Sequence, residues 1–194
     1  MNRIKTERLI LRSFVESDYE DLFECLYQLK DDEFEGYPGI TFENGREHLN
    51  ARMASDEFYA IELTSTGKVI GNIYCGHRDY QSKEVGYIVN RGYQGKGFAT
   101  EALSAVIRHA FSTGVHRIFA ECDPRNIRSW KLLERVGFKR EAHFRQNIYF
   151  HKDPGGAPIW KDTFVYALLR SDMQITQNPD LQDADAQDTA TGSL

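Results

Sequence analysis

The stretch at residues 85–111 constrains the fold of this chain more than any other part of it. Residues 85–89 are mostly β-branched or aromatic, which favours a strand, and the turn that follows contains Gly95 and Gly97. Beyond the turn, apolar residues recur every three or four positions, as on one face of an α-helix: Ala99, Ala102, Leu103, Val106, Ile107, Ala110 and Phe111. The stretch therefore predicts a strand, a glycine turn and an amphipathic helix in succession.

The two glycines have a physical use at the start of a helix. Without side chains, Gly95 and Gly97 let the backbone approach a ligand closely, and the first amides of a helix have no acceptor within it. These amides and the helix dipole favour an anion, and Lys96 adds a positive charge. The turn is a candidate site for a phosphate or pyrophosphate, although a tight turn that binds nothing has the same glycines.

Two common phosphate-binding loops fit this turn poorly. A P-loop requires Ser or Thr directly after its lysine, whereas Lys96 is followed by Gly97. The dinucleotide-binding fingerprint requires a third small residue, and Thr100 occupies that position. Glu121, near the end of the next predicted strand, would imitate the ribose-binding acid. A nucleotide-dependent oxidoreductase therefore stays as an alternative.

A known family provides a better match to the turn. The segment Gln94-x-x-Gly97-x-Ala99 resembles the Q/R-x-x-G-x-G/A signature of the GCN5-related N-acetyltransferases (GNAT). In that family the turn holds the pyrophosphate of acetyl-CoA, which agrees with the anion site predicted from the amides.

A second segment extends the resemblance. Asn126-x-x-Ser129, followed by Glu134-x-x-Gly137-Phe138, resembles the N-x-x-S…E-x-x-G-F segment of the RimJ/RimL-type branch, which acetylates protein N-termini. Shorter similarities lie at residues 6–12, 145–147, 160–162 and 166–169. The resemblance thus covers about residues 6–170.

The resemblance implies a fold and a cofactor. The fold is α+β, with a GNAT-like mixed, mostly antiparallel twisted sheet flanked by helices in one domain at residues 1–170. The co-substrate is acetyl-CoA, and no metal is needed. The Asn126 side chain would bond the pantetheine arm, although an asparagine at a helix start also serves as an N-cap. The cofactor-binding residues implied are Ile88, Val89, Gln94, Gly95, Lys96, Gly97, Phe98, Ala99, Thr100 and Asn126.

Acetyl transfer to an amine needs a neutral amine, a polarised thioester carbonyl and a protonated leaving thiolate. Glu84 resembles the strand glutamate of the family and is the candidate base, acting directly or through water, unless it pairs with Lys83 or an arginine. The backbone N–H near Val89 is the candidate for polarising the thioester. Ser129 is the candidate acid, because Leu133 stands where the family usually has a tyrosine.

The acceptor is expected at the amino-terminal half of the chain. The resemblance assigns Glu33, Phe34, Glu35 and Tyr37 to the acceptor site, although a solvated acidic loop has the same composition. Residues 1–62 carry 15 acidic and 7 basic side chains, whereas residues 63–170 carry 9 and 17. We expect the basic half to hold the anionic cofactor and the acidic half to attract a cationic amine; two solvated faces packed together would show the same charges.

Composition sets the remaining limits. A chain of 194 residues with 41% hydrophobic residues predicts one globular domain, and the aspartate-rich segment at 171–194 is expected to be an acidic disordered tail. Three scattered cysteines indicate neither a disulfide framework nor a zinc site. Without a long apolar run or a secretory core, we expect a cytoplasmic monomer or homodimer that does not bind a membrane. The absence of a basic run argues against nucleic acid.

Together these observations predict an acetyl-CoA-dependent N-acetyltransferase. The acceptor would be a primary amine, either a protein N-terminal α-amine or a small cationic amine, that attacks the thioester directly in a ternary complex. A module that holds CoA without catalysis is a further alternative.

Overall fold

The sheet and its helices are described for residues 3–30, 32–34 and 39–177 by a computed structural model. The strands are β1 (Ile4–Lys5), β2 (Leu9–Arg12), β3 (Phe58–Leu63), β4 (Val69–Arg78), β5 (Ser82–Val89), β6 (Arg117–Cys122), β7 (Lys139–Ile148) and β8 (Lys161–Leu169). The helices are α1 (Tyr19–Tyr27), α2 (Phe42–Met53), α3 (Phe98–Ser112), α4 (Ile127–Arg135) and α5 (Arg170–Gln177). Within these ranges, no helix has both the length and the apolar character needed to cross a membrane.

The eight strands form one open sheet in the order β1-β2-β3-β4-β5-β6-β8-β7. Among the described pairings, β5 and β6 run parallel and the other neighbours run antiparallel. The parallel pair needs a crossover connection, and α3 provides it. The predicted α+β fold with a mixed, mostly antiparallel sheet is confirmed.

Two hydrophobic layers cover opposite faces of the sheet. The apolar face of α3 is buried as its periodicity predicts, together with α4 and the inward side chains of the central strands. On the other face, α1 and α2 pack over β3, β4 and the end of β5. Because successive side chains of a strand point to opposite faces, each central strand contributes to both layers.

The sheet opens between β5 and β6. Their parallel pairing involves only Ser82–Glu84 on β5 and Arg117–Phe119 on β6. Beyond Glu84, β5 stays paired with β4 as far as Val89, so the second half of β5 has a partner on one side only. This gap positions the candidate site.

The predicted boundary of the disordered tail at residue 171 is wrong. Helix α5 runs through Arg170–Gln177 and packs on β8. The Asp172 carboxylate accepts the Leu169 N–H at 3.0 Å and the Lys139 ammonium at 2.7 Å, and Met173 packs against the core. These contacts order the first turns of the segment. The remainder of the predicted tail, residues 178–194, lies outside the described residues.

Candidate active site

The glycine turn joins the end of β5 to the start of α3. Gly95 and Gly97 have φ values of +74° and +82°, in the left-handed region where a side chain costs roughly 1–2 kcal/mol. Gly97 is also the N-cap of α3, and no side chain caps the helix there. The predicted residues at 94–100 thus surround one helix N-terminus that has no side-chain cap.

Arg8, which sequence reasoning missed, braces this turn. Its Nε lies 2.7 Å from Glu101 Oε2, and its Nη1 donates to the Lys96 carbonyl at 3.0 Å. Its guanidinium also lies over the Phe98 ring. The Lys96 ammonium instead folds back onto the Gly92 carbonyl at 3.0 Å. Arg8, directly before β2, therefore holds the turn from outside, in addition to the bond made by the turn's own Lys96.

The amide of Val89 faces the gap between β5 and β6. Hydrogen bonds along an antiparallel strand alternate in direction, and the neighbouring Asn90 amide donates to the Ile70 carbonyl of β4 at 2.8 Å. The Val89 amide must then point away from β4. Gln94 Nε2 donates to the Val89 carbonyl at 2.9 Å, which ties the glycine turn to this strand end.

A cavity of about 320 Å³ occupies the gap. Strand alternation divides its lining between the two faces of the sheet. On the α1–α2 side the lining includes Phe58, Asn72, Tyr74, Glu84, Ile88 and Glu121. On the α3–α4 side it includes Tyr87, Ser129 and Leu133. The cavity therefore brings together the predicted Glu84, Ile88 and Ser129 and is lined from both faces of the sheet.

Two carboxylates line the α1–α2 side of the cavity. Glu84 forms the ion pair that the sequence left open, with its Oε2 2.5 Å from Arg78 Nη2. Glu121 has no ion pair among the described residues, and partial burial together with the Glu84 charge raises the pKa of its carboxyl group. In the parallel register Glu84 lies opposite Phe119, so Glu121 lies two residues further toward Val89. Sequence reasoning had considered Glu121 only as a ribose-binding acid.

Two hydroxyl groups meet on the α3–α4 side. Tyr87 Oη lies 2.9 Å from Ser129 Oγ and donates to the Ser129 carbonyl at 3.0 Å. Tyr87 was not among the predicted site residues. It places a phenol beside Ser129, although Leu133 occupies the position of the family's usual tyrosine.

Asn126 and Cys122 have local roles beside this pair. Asn126 Oδ1 accepts the Ser129 amide at 3.2 Å, so the side chain is the N-cap of α4. Its NH₂ group is not used by that bond. Burial raises the pKa of the Cys122 thiol to about 12, which keeps it protonated and unsuited to act as a nucleophile.

The described part of the predicted acceptor loop, Glu33 and Phe34, does not line the cavity. Glu33 pairs with Arg125 at 3.1 Å, and the Phe34 ring lies below the cations of Arg125 and Lys161. Glu35 and Tyr37 lie outside the described residues. Among the residues that the structure does describe, no cluster of three or more His, Cys, Asp or Glu side chains is arranged to hold a metal ion.

Comparisons with known proteins agree with this geometry. A family model described as "Acetyltransferase (GNAT) domain" matches residues 8–139. The uncharacterized N-acetyltransferase YnaD of Bacillus subtilis is 30% identical over 175 residues, which cover 87% of this chain and 98% of YnaD. No support for the oxidoreductase alternative comes from these matches.

Solved structures show the same fold. A GNAT-family acetyltransferase from Bacillus anthracis superposes with a TM-score of 0.79 at 29% identity, covering 88% of this chain and 99% of that one. RimL, the ribosomal L7/L12 alpha-N-protein acetyltransferase solved with coenzyme A, has a TM-score of 0.75 at 20% identity, covering 87% and 98%. The chain therefore belongs to the GNAT family and is an acetyl-CoA-dependent N-acetyltransferase with a RimJ/RimL-like fold.

Proposed function

We propose that this protein transfers the acetyl group of acetyl-CoA directly to a cationic primary amine, the α-amine of a protein N-terminus foremost and a small amine otherwise. The observation that carries the proposal is the cavity between β5 and β6, with carboxylates on one wall and hydroxyl groups on the other. RimL, whose name describes an alpha-N-protein acetyltransferase, favours the α-amine as acceptor.

The cofactor would extend from the glycine turn into the gap. The amides at residues 95–100, at the positive end of the α3 dipole, would bind the pyrophosphate. The pantetheine arm would then lie along the unpaired edge of β5 beside Ile88, within reach of the Asn126 NH₂ group. The inward-facing amide of Val89 would donate to the thioester carbonyl and stabilise the oxyanion that forms on it.

Charge on the cavity wall selects the acceptor. Glu84 and Glu121 are the charged side chains of the lining, and Lys, Arg and His are absent from it among the described residues. An ammonium group therefore finds a partner there, whereas the carboxylate of a free amino acid does not. An α-amine has a pKa of about 8, so roughly a tenth of it is already neutral at pH 7 and a weak base suffices.

Glu121 is the better placed of the two candidate bases. Strand rise is about 3.3 Å per residue, so the two-residue offset places Glu121 roughly 6–7 Å further along the strand direction toward Val89 than Glu84. Its raised pKa also suits a group that must take up a proton. Glu84, held by Arg78, would attract the ammonium and act as the second candidate.

The transfer step then balances without a covalent enzyme intermediate. The amine nitrogen attacks the thioester carbonyl carbon, its N–C bond forms, the C–S bond breaks, and the amine proton passes to the carboxylate. The departing thiolate takes a proton from the hydroxyl pair of Ser129 and Tyr87. A phenol, ordinarily with a pKa near 10, is closer to a thiol near 8.5 than an aliphatic alcohol is, so Tyr87 is the stronger donor of the pair.

The proposal is tested by measuring CoA release as free thiol, with mass spectrometry of the acetylated product. We expect turnover with a peptide that has a free N-terminal alanine and little with free alanine. Glu121→Gln should lower kcat by about 100-fold or more, whereas Glu20→Gln, on the exposed face of α1, should leave it unchanged. Thermal stabilisation by acetyl-CoA without CoA release for any amine would contradict the proposal and favour a module that only binds CoA.

A further inference from the structure

Asn72 is a buried residue on the α1–α2 side of the cavity. It lies within β4, and the residue is only 3% exposed. Its Oδ1 is buried and has no hydrogen-bond partner among the described residues. Buried acceptors in folded proteins are nearly always paired, so an unpaired one at a cavity wall indicates a donor that the free protein lacks.

Asn90 is an equally buried asparagine with a structural role, and it provides a comparison for Asn72. It too is 3% exposed. Its Nδ2 donates to Glu24 Oε1 at 2.8 Å, and its Oδ1 accepts the Gly92 amide at 2.9 Å. Both ends of that amide are used by the fold, whereas the Asn72 oxygen has no such partner among the described residues, although Asn72 lines the cavity.

Asn72 lies next to the point of reaction. It is the cross-strand partner of Ile88, and directly opposed side chains of antiparallel strands lie about 5 Å apart. Phe58 and Tyr74, whose ring centroids are 5.0 Å apart, line the same wall. A group that reaches Asn72 is therefore carried by the acceptor close to its reacting nitrogen.

The chemistry of the amide selects a neutral donor. The Asn72 amide is uncharged, and the carboxylates that line the cavity are those of Glu84 and Glu121. A second ammonium group buried against the Asn72 oxygen would therefore lose its hydration without gaining a counter-charge. A peptide N–H carries no such penalty, and in an N-terminal acceptor the first one is only three bonds from the reacting nitrogen. We infer that Asn72 is a specificity-determining residue whose Oδ1 accepts the N–H of the first peptide bond of the acceptor, an inference that rests on the proposed function.

The test compares acceptor peptides that differ by one methyl group. An alanine-initiated peptide is compared with its analogue N-methylated at the first peptide nitrogen, and with a control analogue N-methylated at the second. In the natural protein, kcat/KM should fall about tenfold for the first analogue and little for the second. In Asn72→Leu the ratio between the unmodified peptide and the first analogue should fall to about one, whereas Asn90→Ala should keep the natural ratio.

Thermal stability provides a second measurement, which separates the proposed role of Asn72 from a purely structural one. Asn72→Leu removes an unpaired polar group, so its Tm should be unchanged or raised, whereas Asn90→Ala breaks two hydrogen bonds and should lower the Tm. A lowered Tm in Asn72→Leu with an unchanged peptide ratio would assign Asn72 to the fold and overturn the inference.

The natural protein alone can also refute the inference. Equal kcat/KM for the unmodified peptide and the first analogue would overturn it without any variant. Acetylation of a diamine such as putrescine, but of no peptide, would overturn it while leaving amine acetylation intact. Failure to acetylate any amine would remove the proposed function itself.

Discussion

Gly71→Ala should impair catalysis by displacing the Val89 backbone, which we propose polarises the thioester. Gly71 of β4 is the cross-strand partner of Val89. A Cβ atom at Gly71 would lie 2.1 Å from the Ile88 carbonyl oxygen and 3.0 Å from Val89 Cα. Both contacts are with backbone, so no side-chain rotation can relieve them.

The size of the effect follows from these distances. Carbon and carbonyl oxygen normally approach no closer than about 3.3 Å, so the two strands must separate by roughly 1 Å. A displacement of about 1 Å at a reacting centre can lower the rate about 100-fold. Overpacking typically destabilises a protein by about 1–3 kcal/mol, and each kcal/mol lowers the Tm of a domain of this size by about 2–4 °C.

The assay is kcat at saturating acetyl-CoA and peptide, with the folded fraction measured by circular dichroism at the assay temperature. Ile61→Val provides a control for stability, because Ile61 is fully buried in β3 and the substitution costs about 0.5–1.5 kcal/mol away from the gap. We expect the control to retain its kcat per folded molecule. Full kcat in folded Gly71→Ala would refute the assignment of the Val89 amide to the thioester carbonyl.

Three further predictions concern the two walls of the cavity and the cofactor turn. Glu84→Gln removes a charge that helps to raise the pKa of Glu121, so the acid limb of the kcat/KM profile should move to lower pH; loss of activity at every pH would instead make Glu84 the base. Tyr87→Phe and Ser129→Ala should each lower kcat, and the double variant should lose little more than either one, because the two hydroxyl groups act as a pair; fully additive losses in the kinetic cycle would contradict this. Gly97→Ala should cost about 1–2 kcal/mol of stability in thermal unfolding and raise the KM for acetyl-CoA, and an unchanged KM would place the pyrophosphate elsewhere.

The local features of the fold were predictable because they depend on short-range periodicity. The apolar face of α3 and the strand before it follow from spacings of three and four residues and from β-branched residues. The glycine turn followed from the conformations that only Gly95 and Gly97 adopt without strain. The helix at Arg170–Gln177 was missed because it depends on distant contacts with Lys139 and the core, which a composition rich in aspartate does not reveal.

The composition of the site was less predictable, because it depends on where two strands stop pairing. Glu121 belongs to the site only because the register sets Glu84 opposite Phe119, which puts both carboxylates on one face of the sheet. Tyr87 reaches Ser129 because its side chain points to the opposite face from Glu84, through the same gap. Both residues lie in or beside segments that sequence patterns identified correctly as strands. The two-residue periodicity of a strand assigns its side chains to alternate faces of the sheet. The residue at which pairing with a neighbouring strand ends is set by the whole sheet. The cavity exists because, beyond Glu84, β5 remains hydrogen-bonded to β4 but is no longer paired with β6. Any substitution that restored the β5–β6 pairing would therefore close the site while making the sheet more regular.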